Sequence, residues 1–390
     1  MNRHSSNPPI EQGIRLSLSA GQREAQQCFR AIVAEEVSPH AGQWDRQGEV
    51  PLAMIERLRE LGWLGAIVPP ELGGGGLDAL TYGLLTEEIG RGCSSLRSLL
   101  TVHDMVTLAL LRWASAEVKA TVVPSLGSGR RLAALALSEP NVGSDAVAVE
   151  TLALRDGEEI VLEGRKKWIT FGEIADELLV LARLDDQPTA FLVAGETPGL
   201  TRRPLRSVVG TRASRLAEIH LEGCRIPLSR QVGRVGGGVS HVFTTALDHG
   251  RYSVAWGAVG IAQACLDACL AYAGQRRQGG ALLIDHQLIR RTLTEMIAAT
   301  RAARLLCLRA GWLRAERDPG ALAETMVAKY FASRTAVSVA NDAVQLHGAN
   351  GLCEDYPVER YLRDAKVTEI IEGSTEIQQI TIPRLPLDEI

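Results

Sequence analysis

Thr151-Leu-Ala-Leu-Arg155, Asp156-Gly157 and Glu159-Ile-Val-Leu-Glu163 decide the fold, because here a largely helical chain changes its period. Asp-Gly between two short alternating runs is a strong hairpin signal, since both turn residues must accept positive φ. Leu178 to Leu184 and Ala190 to Ala194, separated by Asp185-Asp186-Gln187-Pro188, predict a second hairpin. Ala217 to Leu221, just before Gly223, reads as a further strand. A compact β domain is expected over residues 132–239.

The pattern on both sides is helical. Upstream, Ser19 and Gln22 form a capping box, and Ala25, Cys28, Phe29, Ile32 and Val33 then share one face. Met54 to Leu61 repeats that spacing, and Pro69-Pro70 with Gly73-Gly74-Gly75-Gly76 makes a turn before another helix from Leu77. No Lys-Ser or Lys-Thr follows the glycines, so they do not form a phosphate loop. Downstream, Tyr252 to Gly274, Gln287 to Glu316, Leu322 to Leu346 and a last helix near Glu376 predict a four-helix bundle. The fold class is mainly α with an inserted, barrel-like β domain. A tail over 1–18 precedes an N-terminal helical domain (19–131), the middle domain (132–239) and a C-terminal bundle (240–390).

Composition narrows the function. Of 390 residues, 46% are hydrophobic and 23% charged, enough apolar material for a large core. The net charge of −4, without a basic cluster, argues against nucleic acid as a partner. Tyr252 to Gly274 has the length of a membrane span but carries Gln263 and Asp267, so it is expected to be a buried helix. The first residues, with Pro8-Pro9, lack the apolar run of a secretory signal. Seven scattered cysteines complete no zinc pattern; no metal is expected, and reduced thiols point to the cytoplasm.

Three stretches place polar residues and glycines between apolar runs. Leu135-Ala-Leu-Ser-Glu-Pro-Asn-Val-Gly-Ser-Asp145 offers hydroxyls at Ser138 and Ser144, and a backbone that a ligand can approach at Gly143. An ordinary serine turn would use the same residues. Trp168 and Thr170, in Gly164-Arg-Lys-Lys-Trp-Ile-Thr-Phe-Gly172, are expected on one side of an extended segment, where an aromatic body beside a hydroxyl suits a planar ring. A plain strand explains them as well. In Ile370-Ile-Glu-Gly-Ser-Thr-Glu-Ile-Gln378, Glu372 follows two isoleucines, a setting that desolvates a carboxylate and raises its pKa toward that of a general base. Ser374 or Thr375 can cap a final helix in the same stretch.

Taken together, these motifs resemble the acyl-CoA dehydrogenase family over about residues 19 to 385. The motifs are Pro70 to Gly74, Ser138 to Asp145, Lys167-Trp-Ile-Thr170, Leu247-Asp-His-Gly-Arg251, Gln345-Leu-His-Gly348, Arg363-Asp364 and Glu372 to Gln378. The resemblance implies FAD bound without a Rossmann motif. Leu137, Ser138, Gly143 and Ser144 would lie along the flavin and the substrate's carrier arm, and Trp168 and Thr170 against the flavin ring. Ser374 and Glu376 would hold the cofactor's other end. Arg276, Gln278, Gln345, Gly348 and Ala349 would reach it from a neighbouring subunit, with Gln287 in support, so a homodimer or homotetramer is expected. Asp248, Arg251, Ser144 and Gly373 would meet the substrate. Glu372 would take the α-proton of an acyl thioester while a hydride leaves the β-carbon for flavin N5. Reoxidation would fall to an electron-transfer flavoprotein or another acceptor.

One branch of the family carries its base at the position held here by Gly250, which leaves Glu372 without a rival. Departures include Gly279 where an aromatic is usual, Phe171 for Asn, Ala349 for Gly, and Ile371 for Tyr beside the base. They point to a specialised member, with an acyl carrier protein as the alternative thioester carrier. An oxidase or monooxygenase of the same fold, or a non-catalytic scaffold, are further alternatives.

Overall fold

The computed structural model describes residues 17–385. Most of the tail expected over 1–18 lies outside the described residues.

The N-terminal helices are α1 (Ala20–Ile32), α2 (Ala41–Gln47), α3 (Leu52–Glu60), α4 (Ala79–Gly92), α5 (Ser94–Trp113), α6 (Ala116–Thr121) and α7 (Val123–Gly127). The capping box at Ser19 and Gln22 starts α1, and Asp78 caps α4 by accepting from the Thr81 N–H. The β region holds β1 (Ala133–Ala136), β2 (Leu152–Asp156), β3 (Glu159–Ile169), β4 (Glu177–Leu184), β5 (Gln187–Ala194), β6 (Leu200–Pro204), β7 (Ala217–Pro227) and β8 (Gln231–Val232). After it come α8 (Thr244–Ala273), a ribbon of β9 (Arg277–Gln278) and β10 (Ala281–Leu282), α9 (Gln287–Ala315), α10 (Ala321–His347), α11 (Val358–Ile370) and α12 (Thr375–Thr381).

The eight strands form one sheet in the order β6-β7-β3-β2-β4-β5-β8, with β1 pairing parallel to β4. The Asp185-Asp186 turn is shorter than the sequence implies. Both aspartates have positive φ (50° and 58°), Leu184 pairs directly with Gln187, and Pro188 is already inside β5. β4 and β5 are buried on both faces. Leu179, Leu181, Ala190 and Leu192 face Val106 and Leu110 of α5, while Leu178, Val180, Phe191 and Val193 face Ile160 of β3 and Ile219 of β7. That is why these strands read as near-continuous apolar runs.

The two helical zones share a single core, in which α4 and α5 pack on α8. A β-carbon on Gly90 would stand 2.8 Å from the Gly257 backbone, so small residues let α4 and α8 cross closely. The bundle consists of α8, α9, α10 and α11. This corrects the expectation that the helix near Glu376 is its fourth member: α12 is a two-turn cap, and α11 supplies the wall. Most of α8 is buried inside the protein, as Gln263 and Asp267 suggested.

Candidate active site

The first two candidate stretches lie side by side. Lys167 N–H donates to the Ser138 carbonyl (2.8 Å), and Lys166 Nζ reaches the Leu137 carbonyl (3.2 Å). Underneath, fully buried Lys166 pairs with Glu139 at 2.6 Å, and Glu139 also accepts from the backbone N–H groups of Glu150 and Thr151. This buried pair anchors the loop carrying Ser138, Gly143 and Ser144, of which the last two are exposed. The strand does not run straight past Trp168. The register of β3 against β7 slips between Lys166 and Ile169, and Trp168 takes φ 65° with its side chain 53% exposed. The expected extended geometry at Trp168 is therefore corrected. A left-handed residue tips the indole outward while Ile169 stays in the core, and Thr170 follows half-buried.

The third stretch is a strained turn between α11 and α12. Glu372 (φ 56°) and Gly373 (φ 90°) are both left-handed, an uncommon conformation for a glutamate that surrounding contacts must enforce. Arg251 Nε donates to the Glu372 carbonyl (3.1 Å) and Lys329 Nζ to the Gly373 carbonyl (2.7 Å). Ser374 caps α12 by accepting from the Ile377 N–H, and Glu376 is exposed in its first turn. The backbone is thus tied down, but Glu372 Oε2 is out of solvent and finds no hydrogen-bond partner among the described residues. Burial pushes the Glu372 carboxyl up to about 7, against the opposing charges of Arg251, Lys329 and Arg97. The carboxylate points at α8, where a β-carbon on Gly250 would lie 2.5 Å from Oε2 and 2.7 Å from Met105 Sδ. Met105 shares a cluster with Leu137, which links this turn to the Ser138 loop.

Arg251 and Asp248 sit one turn apart on α8. Asp248 is paired with Arg314 of α9 (2.5 Å) and lines a cavity of about 380 Å³ with Arg112, Thr245 and His249. The remaining candidates lie elsewhere. Arg276, Gln278, Gln287, Gln345, Gly348 and Ala349 are all exposed, around the C-terminal ends of α8 and α10 and the N-terminus of α9. Stacking of Tyr272 on His347, with centroids 4.3 Å apart, brings these ends together. Arg251 and Ala273 are 22 residues apart on one helix, about 33 Å at 1.5 Å per residue. Within one chain the two groups are therefore well separated. Gly279 and Gly280, with φ 57° and 80°, form the turn of the β9–β10 ribbon, so backbone geometry accounts for the missing aromatic.

Motif reading passed over Lys329, Met105, Arg97 and the Glu139–Lys166 pair. The available signal was a lone charge amid small or apolar residues, as in Ser-Leu-Arg97-Ser-Leu-Leu and Val-Ala-Lys329-Tyr. Among the described residues, no group of three or more His, Cys, Asp or Glu could hold a metal ion.

The fold has counterparts among known proteins. The chain is 38% identical over 378 residues to the probable acyl-CoA dehydrogenase YngJ of Bacillus subtilis (strain 168), covering 95% of this chain and 99% of that protein. The glutaryl-CoA dehydrogenase of Mycobacterium smegmatis superposes with a TM-score of 0.90 at 32% identity, covering 95% of each chain. The prolyl acyl carrier protein oxidase AnaB superposes with a TM-score of 0.89 at 26% identity, covering 94% of this chain and 99% of that one. The three-part architecture matches the acyl-CoA dehydrogenase N-terminal domain over residues 19–130, the middle domain over 134–224 and the C-terminal domain over 236–385. With helices, sheet and bundle all accounted for in that order, the chain belongs to the acyl-CoA dehydrogenase family.

Proposed function

We propose that this enzyme removes two hydrogens from the α and β carbons of an acyl thioester, with Glu372 as the base. The observation that carries the reading is the Glu372 carboxylate: its Oε2 is out of solvent with no partner among the described residues, its pKa is raised to about 7, and it faces the gap left by Gly250. A base for a weak carbon acid works best with a pKa near the working pH, and desolvation supplies that here.

The family is flavin-dependent, and the residues present fit FAD. Trp168 offers an exposed indole two residues before the half-buried Thr170, and the Ser138 loop is bonded alongside through Lys167. Leu137, Ser138, Gly143, Ser144, Trp168 and Thr170 would hold the flavin half, and Ser374 and Glu376 would serve the other end. The chemistry FAD supplies when bound is acceptance of the hydride from the β-carbon. Glu372 takes the α-proton, and Arg251 and Lys329 fix its turn through the carbonyls of residues 372 and 373. The electron pair of the α C–H bond stays and becomes the carbon–carbon double bond conjugated to the thioester, while the pair of the β C–H bond leaves with the hydride.

The exposed group at the far end of α8 supports an oligomer in which Arg276, Gln278, Gln287, Gln345, Gly348 and Ala349 serve a neighbour's cofactor. A homotetramer built of dimers is the assembly we favour. An electron-transfer flavoprotein is the acceptor proposed for the reduced cofactor. Seven unpaired cysteines suit a reducing compartment, and we place the enzyme in the cytoplasm. Coenzyme A is the carrier we favour; similarity to an acyl carrier protein oxidase supports carrier-bound substrate as the second reading.

Glu372→Gln tests the base. The variant should keep flavin and bind thioester, while anaerobic flavin reduction slows by about 10²–10⁴-fold or more. Reduction near the wild-type rate would remove Glu372 from this role.

A further inference from the structure

The cavity of about 380 Å³ beside Asp248 has no part in the removal of hydrogen from a thioester. Leu108, Leu111 and Arg112, spaced by three and four, share a face of α5 and form one wall. Thr245 and His249, four apart, share a face of α8 and form another. Gly250 is next in the chain after His249, but consecutive helix residues point about 100° apart. Gly250 faces Met105 and Glu372, whereas His249 stacks on Tyr82 of α4 with ring centroids 4.8 Å apart. The cavity therefore lies on a different side of α8 from the base. Arg112 stands seven residues beyond Met105, about 10 Å further along α5.

Two guanidinium groups and one carboxylate line the cavity, so it carries one net positive charge. Arg314 is committed: it donates to Asp248 Oδ1 (2.5 Å) and Thr325 Oγ1 (3.0 Å) and lies over the Tyr252 ring at 4.7 Å. Arg112 is not. It rests on the Trp113 ring at 5.2 Å, and among the described residues it forms no ion pair and no hydrogen bond. His249 is neutral, because burial and the Arg314 charge lower its imidazole to about 3. It is 5% exposed, and its Nε2 has no hydrogen-bond partner among the described residues. Buried polar atoms are almost always paired, so an unpaired one in a cavity wall marks a place for a ligand.

We propose that this cavity is a second ligand site, which takes a free short-chain carboxylic acid as its anion. The carboxylate pairs with Arg112, the His249 imidazole donates an N–H to it, and the hydrocarbon part lies against Leu108 and Leu111. One negative charge balances the lining, whereas a phosphate dianion would bring a second one close to Asp248. The site is separate from that of the acyl thioester. Free short-chain acids are what hydrolysis of such thioesters leaves.

The test is titration calorimetry on the flavin-loaded enzyme with butanoate and hexanoate, each against its neutral match, butanamide or hexanamide. The wild type should bind at least one acid about tenfold or more tighter than the amide, and Arg112→Gln should erase that preference. His249→Phe should weaken binding of the acid by about 3- to 10-fold. Arg112 is exposed, so its variant should fold as the wild type does. Equal or weaker binding of both acids overturns the proposal, whatever the variants do. So does a preference that survives in Arg112→Gln, or an affinity unchanged in folded His249→Phe. Position is read from a crystal of the flavin-loaded enzyme soaked in 4-bromobutanoate. Anomalous scattering should place the bromine against Leu108 and Leu111. Bromine found only beside Glu372, or nowhere, would also sink the idea.

Discussion

Glu372 Oε2 lies 2.5 Å from the point where a β-carbon on Gly250 would stand. The carboxylate of one element thus uses the space that the missing side chain of another leaves open. The base on the turn after α11 and a base carried at residue 250 would occupy the same volume, so the chain has room for one of them. Its buried helix α8 carries glycine there although glycine weakens a helix interior.

Gly250→Ala separates these two effects. Alanine favours the helix by up to about 1 kcal/mol, but its methyl group displaces the Glu372 carboxylate. The expected outcome is a folded, flavin-containing protein whose anaerobic flavin reduction falls by at least about tenfold. Stopped-flow absorbance reads the rate, and unchanged reduction would mean that Glu372 does not work from the position seen here.

The rate of flavin reduction should rise with pH through about 7, because only ionised Glu372 accepts a proton. Lys329 pulls that pKa down, and its own amine is lowered to about 8 by burial. Lys329→Met removes the cation, so the carboxyl titrates at higher pH. The rate at pH 7 should drop by up to about tenfold per unit of that displacement and recover as pH rises. A pH profile of the reduction rate checks this, and an unmoved profile would show that Lys329 acts only through the Gly373 carbonyl.

The same raised pKa bears on stability. Between 4.5, the ordinary glutamate value, and about 7, the folded protein holds a proton at Glu372 that the unfolded chain has lost. Its stabilising contribution is therefore present below 4.5 and lost as pH rises through 7. Neutral glutamine escapes that loss. Glu372→Gln should be the more stable protein at pH 8, by about 3 kcal/mol at most, with the difference fading toward pH 5. Denaturant titrations of both proteins at the two pH values measure it.

Lys166→Met leaves Glu139 charged and buried beneath the Ser138 loop. Breaking one partner of such a pair costs about 3–5 kcal/mol, and the loop loses its anchor at the Leu137 carbonyl. A lower melting temperature and a reduced flavin-to-protein ratio are expected. Adding Glu139→Gln should return much of the stability, since no unpaired charge then remains.

Local pattern determined a good deal of this protein. Alternation around Asp156-Gly157 marks β2 and β3, and the apolar spacing of Ile289, Leu293 and Met296 marks α9, because both signals depend on neighbours in sequence. The Ser374 cap of α12 was legible in the Glu-Gly-Ser-Thr-Glu run for the same reason, and the two isoleucines before Glu372 made that residue the proposed base. Helix α11 was not legible as a bundle wall. Its buried face carries Arg360, Asp364 and Thr368, so its polarity hides its burial. The expected extended path at Trp168 failed because the register slip against β7 arises from pairing, not from propensity. The chemistry depended most on tertiary structure. Arg251, Lys329 and Arg97 come from three helices to set one carboxyl, and the stem of Arg97 is buried where Gly257 of another helix leaves room for it. Charge and burial act through space, and spacing along the chain cannot report which residues will face each other across a packed core.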